Sequence, residues 1–251
     1  MILNKNIQKQ FKKKGVLLVK NLFEVDYIKK IKSEVIKLKH NNKCHHYYEK
    51  SVINKKKILI RSENFYDKNL ILKKLIDHEL IKNKLKEIYN EDFVLFKEKI
   101  NYKYPGTRKD LLHQDIQAGW DKFSKKIISA LVCLEISNND NAPLYFDISG
   151  HNKSKRIGKY FEPLSKKDLK KPKFKKFLLN PGDVIFFNSY VPHFSNENLS
   201  NNSRFQLYLS YNPKKEKNFR KKYLKDKMNS FPADNFKSKN KNLSQKYIYR
   251  V

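Results

Sequence analysis

The chain has 251 residues, 39% hydrophobic and 13% aromatic, which is enough apolar surface for a sizeable core and excludes a disordered or fibrous chain. Its formal charge of +31 is carried by lysine, because six of the 56 basic residues are arginines and 50 are lysines. Two cysteines, Cys44 and Cys133, are too few for a disulfide framework, and no early segment is long and apolar enough for a signal or a membrane span. These features predict a cytoplasmic protein with no membrane partner.

The charge invites a nucleic-acid reading, but its distribution argues otherwise. No lysine occurs from Leu178 to Pro213 or from Ile127 to Asn152. Lysine is thus kept out of the apolar runs and spread over the remainder, the pattern of a solvated surface rather than of a dedicated polyanion site. A basic nucleic-acid-associated protein stays open as an alternative, one whose binding would fall steeply with salt.

In chain order, Asn4 to Lys14 reads as a polar helix stopped by Gly15, followed by a short buried strand over Val16 to Val19. Val25, Ile28, Ile31, Val35 and Leu38 recur at helical spacing and predict an amphipathic helix from Glu24 to Lys39. His40, Cys44, His45 and His46 fit no zinc spacing and read as an exposed loop. Ile58 to Ile60 is a strand leaving into a loop at Arg61, and Leu70 to Tyr89 carries a second long helical pattern. From Phe93 to Tyr104 the pattern changes to alternation. Strands over Ile127 to Ile136, Leu144 to Ile148, Val184 to Phe187 and Arg204 to Tyr211 follow, with turns at Asn138 to Asn141 and Asn180 to Asp183. Helices first and short strands afterwards predict a mostly β fold, a sandwich or barrel with flanking helices.

His113 and Asp115 stand two residues apart on an extended segment, so both side chains point the same way and form a ready pair of metal ligands. The third is best sought at His193, which follows a strand and the rigid Pro192. Two imidazoles and one carboxylate on one face of an iron leave positions open for oxygen chemistry. Eleven residues on, Arg204 heads the polar face of a strand, with Gln206, Tyr208 and Ser210, while Phe205, Leu207, Leu209 and Tyr211 form the other face. An inward guanidinium needs a partner, and a dicarboxylate cosubstrate would grip it bidentately.

Together with Pro181-Gly182-Asp183-Val184-Ile185-Phe186-Phe187, these residues resemble the phytanoyl-CoA dioxygenase family of iron(II)/2-oxoglutarate oxygenases. The likeness runs from Phe11-x-x-x-Gly15-Val16 through Leu95 to Asn101 and on to Ser230-Phe231-Pro232, nearly the whole chain. It implies a double-stranded β-helix, a jelly-roll of cupin type, with residues 1–91 as a mainly helical buttress, 92–213 as the β-helix core and 214–251 as a C-terminal extension of the same domain. It further implies that His113, Asp115 and His193 hold Fe(II) and serve catalysis, that Arg204 binds the distal carboxylate of 2-oxoglutarate, and that Ser195, Arg61 and Lys99 contact the cosubstrate. Asn101, Gln117 and Trp120 are expected around the substrate. O2 is the remaining reactant, and the expected activity is hydroxylation of a small anionic metabolite with release of succinate and CO2.

His113 to Trp120 most resembles bacterial members acting on small molecules, aminoethylphosphonate hydroxylases among them, and an acyl-type substrate stays open beside these. Ser149-Gly150-His151 resembles the family's Gly-Ser-His turn loosely, with His151 and likewise His78 read as surface or supporting residues, and Ala142 replaces the usual glycine before the following strand. A catalytically inactive member of the fold is a further alternative, against which the intact quartet of His113, Asp115, His193 and Arg204 speaks. Oligomeric state is not readable from the sequence.

Overall fold

Alternating faces and helical stripes place most of the apolar side chains on two interfaces, one between a large sheet and its helices and one between two sheets. The computed structural model describes residues 5–151 and 155–237. Helices α1 (Lys5–Lys14), α2 (Val25–Leu38), α3 (Leu70–Ile76), α4 (Glu79–Tyr89) and α5 (Arg220–Ser230) flank eleven strands. The strands are β1 (Val16–Val19), β2 (His45–Lys50), β3 (Lys57–Glu63), β4 (Phe93–Lys103), β5 (Asp110–His113), β6 (Ile128–Cys133), β7 (Leu144–Asp147), β8 (Phe174–Phe177), β9 (Val184–Asn188), β10 (His193–Ser195) and β11 (Arg204–Pro213).

Seven strands form the major sheet in the order β1-β9-β6-β11-β4-β3-β2, and four form the minor sheet in the order β5-β10-β7-β8. Every pairing between these strands is antiparallel. Two facing antiparallel sheets with this interleaved order are a jelly-roll, within the sandwich or barrel that the alternation predicts and as the family resemblance implies. The 1–91 segment is not purely a buttress, since β1, β2 and β3 are edge strands of the major sheet.

The alternation along β4 and β11 explains the layering. Ile100, Tyr102, Phe205, Leu207 and Leu209 face outward onto α2, α3 and α4, where Ile28, Ile31, Val35, Leu72, Leu75 and Leu85 meet them. Leu131, Ile185, Phe187 and Tyr208 face inward and meet Phe146 and Phe177 of the minor sheet. Each such aliphatic side chain contributes about 1.5–3 kcal/mol by leaving water. A third, smaller cluster packs Tyr223 of α5 against Phe96, Ile116 and Trp120.

Three expectations change. The predicted single helix over Leu70 to Tyr89 is two helices, because His78 takes an extended backbone (φ −65°, ψ 135°) and its ring nitrogen accepts the Leu80 N–H at 3.2 Å as a new N-cap. The ring is held edge-on to Phe23, with centroids 5.1 Å apart. The expected loop around Cys44 is the start of β2, with Cys44, His45 and His46 buried. His46 is tied to Ser62 Oγ at 2.9 Å and to the Asn41 carbonyl at 3.0 Å. Third, β3 continues past Ile60 to Glu63, which carries Arg61 and Glu63 onto the inner face. Part of the expected C-terminal extension, residues 238–251, lies outside the described residues.

The turn before β9 needs its glycine. Gly182 sits at φ +95°, and a Cβ there would fall 2.1 Å from the Phe23 carbonyl oxygen. Asp183 next to it accepts from Lys20 Nζ at 2.7 Å and from the backbone N–H groups of Asn21 and Asn180 at 2.9 and 2.8 Å.

Candidate active site

His113 ends β5 and His193 begins β10, and the two are direct cross-strand partners. Antiparallel pairing therefore sets their rings side by side, centroids 4.1 Å apart and planes inclined by 55°. Gln114 is extended (φ −109°, ψ 135°), so Asp115, first residue of a 3-10 turn, returns to the side of His113 while Gln114 points away. The Gln114 amide nitrogen donates to the Tyr190 carbonyl at 2.6 Å and its oxygen accepts from the Ile157 N–H at 2.7 Å, which fixes that reversal. His113 Nε2 and Asp115 Oδ1 are 3.9 Å apart, and one donor atom from each of His113, Asp115 and His193 lies within 4.8 Å of the others.

The donor chemistry suits a metal ion. His113 Nδ1 donates to the Leu111 carbonyl at 2.6 Å and His193 Nδ1 to the Val191 carbonyl at 2.9 Å. With Nδ1 carrying the proton, Nε2 of each ring presents its lone pair to the shared space. Burial and the neighbouring His193 push the His113 imidazole down to about 3, and burial likewise lowers His193, so both rings are neutral at physiological pH. Burial alone would raise Asp115, but the nearby Lys99 above all outweighs it and holds the carboxylate ionised. Neutral imidazoles and an ionised carboxylate are the protonation states a divalent cation requires.

Across the inner face of the major sheet runs a band of polar side chains set by register. Lys103 pairs with Arg204, Asn101 with Gln206 and with Arg61, and Lys99 with Tyr208 and with Glu63. Arg204 is buried, its Nε donating to the Asn141 carbonyl at 3.2 Å and its Nη1 donating to Gln206 Oε1, which also accepts from the Tyr208 hydroxyl at 3.1 Å. Beside it, Lys103 Nζ donates to Ser195 Oγ at 3.0 Å, and the Ser195 hydroxyl donates to Asp110 Oδ2 at 2.5 Å. Burial would raise Asp110, yet Lys103 and Ser195 bring it far below the ordinary carboxylate range. Two buried cations against this one carboxylate make a pocket suited to a second carboxylate.

A cavity of about 540 Å³ opens from Asp115, lined by Arg61, Lys97, Lys99, Trp120 and Tyr223 among others. Lys97 Nζ lies 5.5 Å from the centroid of the Trp120 ring and 5.6 Å from that of Tyr223. Lys99 lies 4.7 Å from the ring of Tyr208, and burial brings it down to about 7 against the opposing pull of Asp115.

The structure brings together His113, Asp115 and His193, and it sets Ser195 and Arg204 beside Lys103. Arg61 and Lys99, expected at the cosubstrate, line the cavity together with Trp120, apart from Arg204 and Ser195. Asn101 lies between the two groups, its buried Oδ1 lacking a hydrogen-bond partner among the described residues. Gln117 departs from the expectation that it faces substrate. It is fully buried, its Oε1 accepts the Gln114 N–H at 2.8 Å, and its Nε2 donates to the carbonyls of Lys159 and Glu162 at 3.0 and 2.8 Å. It braces the ligand-bearing turn instead. His151 also stands apart from the triad, holding Asp147 Oδ2 at 2.5 Å in the loop after β7. Sequence reasoning missed Lys103, Asp110, Lys97, Glu63 and the α5 residues Tyr223 and Lys227. The signal for the two lysines was their place with Lys99 and Asn101 on one face of β4, alternating with Glu98, Ile100 and Tyr102.

The family profile of phytanoyl-CoA dioxygenase (PhyH) matches residues 11–205. The chain belongs to this family. Among its relatives, the dioxygenase is 36% identical to the 2-aminoethylphosphonate dioxygenase of an uncultured bacterium over 75% of this chain and 72% of that protein. It is 32% identical to the methylphosphonate hydroxylase of Gimesia maris over 57% of this chain and 55% of that protein. Among solved structures, EctD from S. alaskensis in its apoform superposes with a TM-score of 0.73 at 17% identity, covering 86% of this chain and 78% of the other. The epimerase SnoN in complex with Fe3+, alpha ketoglutarate and nogalamycin RO superposes at 0.69 with 14% identity, covering 82% of each chain. At such identities these structures bear on the fold, and they support the jelly-roll. Among the described residues no helix is long and apolar enough to cross a membrane.

Proposed function

We propose that this family member is an Fe(II)/2-oxoglutarate-dependent dioxygenase that hydroxylates a small anionic metabolite, a phosphonate-like compound fitting better than an acyl one. The observation that carries the reading is the convergence of His113, Asp115 and His193 at the edge of a cavity lined by basic side chains. The relatives named for phosphonate substrates point the same way.

His113, Asp115 and His193 would hold the iron, and Arg204 would take the distal carboxylate of 2-oxoglutarate. With dioxygen, that pair supplies the oxidising power that converts a C–H to a C–OH while 2-oxoglutarate becomes succinate and CO2. Gln206 and the Asn141 carbonyl orient Arg204, so the guanidinium meets its carboxylate without first being ordered. Ser195 and Lys103 serve the same carboxylate. Lys99, Lys97 and Arg61 draw an anionic substrate into the cavity, and Trp120 and Tyr223 exclude water from its wall. We place the protein in the cytoplasm, consistent with two free, buried cysteines.

Incubation with iron(II), 2-oxoglutarate and a panel of short phosphonates and carboxylates should release succinate in step with hydroxylated product. Arg204→Ala should weaken 2-oxoglutarate binding about a hundredfold, read by calorimetry, since a bidentate charge pair of roughly 3 kcal/mol is removed. Absence of succinate with every candidate, together with unchanged 2-oxoglutarate affinity in Arg204→Ala, would sink the assignment.

A further inference from the structure

The family profile ends at residue 205, yet α5 lies beyond it and supplies Tyr223 and Lys227 to the cavity wall. The helix is locked to β4, whose inner face carries Lys97 and Lys99. Arg220 donates to both oxygens of the buried Glu98, Nε at 3.0 Å and Nη2 at 2.6 Å, and Glu98 in turn accepts the N–H groups of Phe65 and Tyr66 at 3.0 and 2.9 Å. Two turns further, Lys227 reaches Glu63 Oε2. Lys97 Nζ lies 3.3 Å and Arg61 Nη1 3.7 Å from Glu63 Oε1. One carboxylate on β3 thus faces three cations brought by β3, β4 and α5.

The charges in this corner do not balance. With Lys99, four inward cations line the cavity beside the exposed Lys122, and the carboxylates acting on those four are Glu63 and, for Lys99, Asp115. Asp226, the other acidic lining residue, is exposed at the mouth. If Asp115 serves the metal, the imbalance at the cations grows. Buried positive charge in excess is costly until a ligand answers it. Burial, abetted by Lys97 and Arg61, pushes the Lys227 ammonium well below the ordinary lysine range despite Glu63.

The geometry also selects for shape. Three cations arriving from three elements suit a tetrahedral head with three oxygens better than a planar carboxylate with two. An ammonium has three donors, so Lys97 and Lys227 can each keep one on Glu63 and turn another to the ligand.

We propose that Lys227, together with Lys97 and Arg61, recognises a doubly charged tetrahedral oxyanion head, a phosphonate or phosphate monoester, and that Lys227 makes the enzyme discriminate a dianion from a monoanion of the same shape. This rests on the reading of the cavity as the substrate's. It adds α5 to the determinants of specificity.

Ethyl phosphate and ethyl sulfate share a shape but carry two charges and one at pH 8. Calorimetric titration of the full chain with each, and with ethylphosphonate, would be run metal-free and again with Mn(II) and 2-oxoglutarate. Both phosphorus ligands are expected to bind at least tenfold more tightly than ethyl sulfate, and the tighter of the two names the head group. Lys227→Met should reduce that preference to within about threefold, and Lys227→Arg should keep it. Equal affinity of the wild-type chain for ethyl phosphate and ethyl sulfate overturns the proposal without any variant, as does an undiminished preference in a folded Lys227→Met. A preference kept in the metal-free protein while no metal binds would overturn the catalytic reading and leave this one standing.

Discussion

At His193 a backbone carbonyl decides what the side chain can do. Val191 accepts the Nδ1 proton at 2.9 Å, so only Nε2 is left to bind a cation, and Leu111 does the same for His113. His193→Ala should therefore abolish stoichiometric iron(II) or Mn(II) binding, measured by calorimetry and elemental analysis, while the fold persists by circular dichroism. Retention of one tightly held metal per chain would refute the ligand assignment. His193→Gln should fall between, since its amide can reach the site but is a poorer donor. His113, Asp115 and Arg204 were legible in the sequence from their two-residue spacing, His193 from the strand and proline before it, and their joint role from the family resemblance. The environment of Ser195 was not, because Asp110 and Lys103 reach it from β5 and β4 through pairings that no local pattern encodes. Gln117 misled for a related reason. It was expected at the substrate, whereas two of the three backbone groups it satisfies come from residues more than forty positions away.

At the scale of elements, long strands and helices followed their periodicity, and the departures occur where a tertiary contact overrides it. The helix over Leu70 to Tyr89 breaks at a histidine that packs on Phe23. The strand at His45 was hidden because its histidines, polar by type, are buried as neutral rings. The turn from Asn138 to Asn141 leads into Ala142, which adopts φ +60° where a glycine would be at ease. This conformation costs an alanine about 1 kcal/mol. The turn is retained because the Asn141 carbonyl holds Arg204 Nε and the Asn141 amide ties it to the Ile136 carbonyl at 2.7 Å. Ala142→Gly should relieve the strain, partly offset by the freer unfolded chain, for a net gain of roughly 0.5 kcal/mol and a rise in Tm of ~2 °C. A fall in Tm would mean that Ala142's methyl group, buried in the turn, contributes more than its backbone costs.

For the whole molecule, the charge of +31 divides into two populations. Most lysines are exposed, whereas Lys97, Lys99 and Lys103 are buried on the inner face of the jelly-roll, where no polynucleotide backbone could track them. The buried histidines of β2 give the molecule a testable response to acid that is separate from the candidate metal site. Burial brings His45 down to about 4 and also lowers His46. Asn64 Nδ2 donates to His45 Nε2 at 3.0 Å, so protonating that nitrogen would break the bond as well as charge the ring. Below the ordinary histidine value of about 6.5, the unfolded chain takes up protons that the folded chain refuses. Stability must then fall as pH drops from about 6.5 towards 4, by up to ~1.4 kcal/mol per pH unit for each fully coupled ring, and change little above 6.5 on their account. Glu63 and Asp110, held below their usual values by cations, lose their contribution only at lower pH, which separates the two windows. Urea unfolding of the metal-free chain between pH 8 and 4 should show this slope, to which the buried His113 and His193 add in the absence of metal, and His45→Gln should lessen it between pH 6.5 and 4 by the share of one ring. An unfolding midpoint that stays level across that interval would show that the β2 histidines accept protons in the folded state, contrary to their packing.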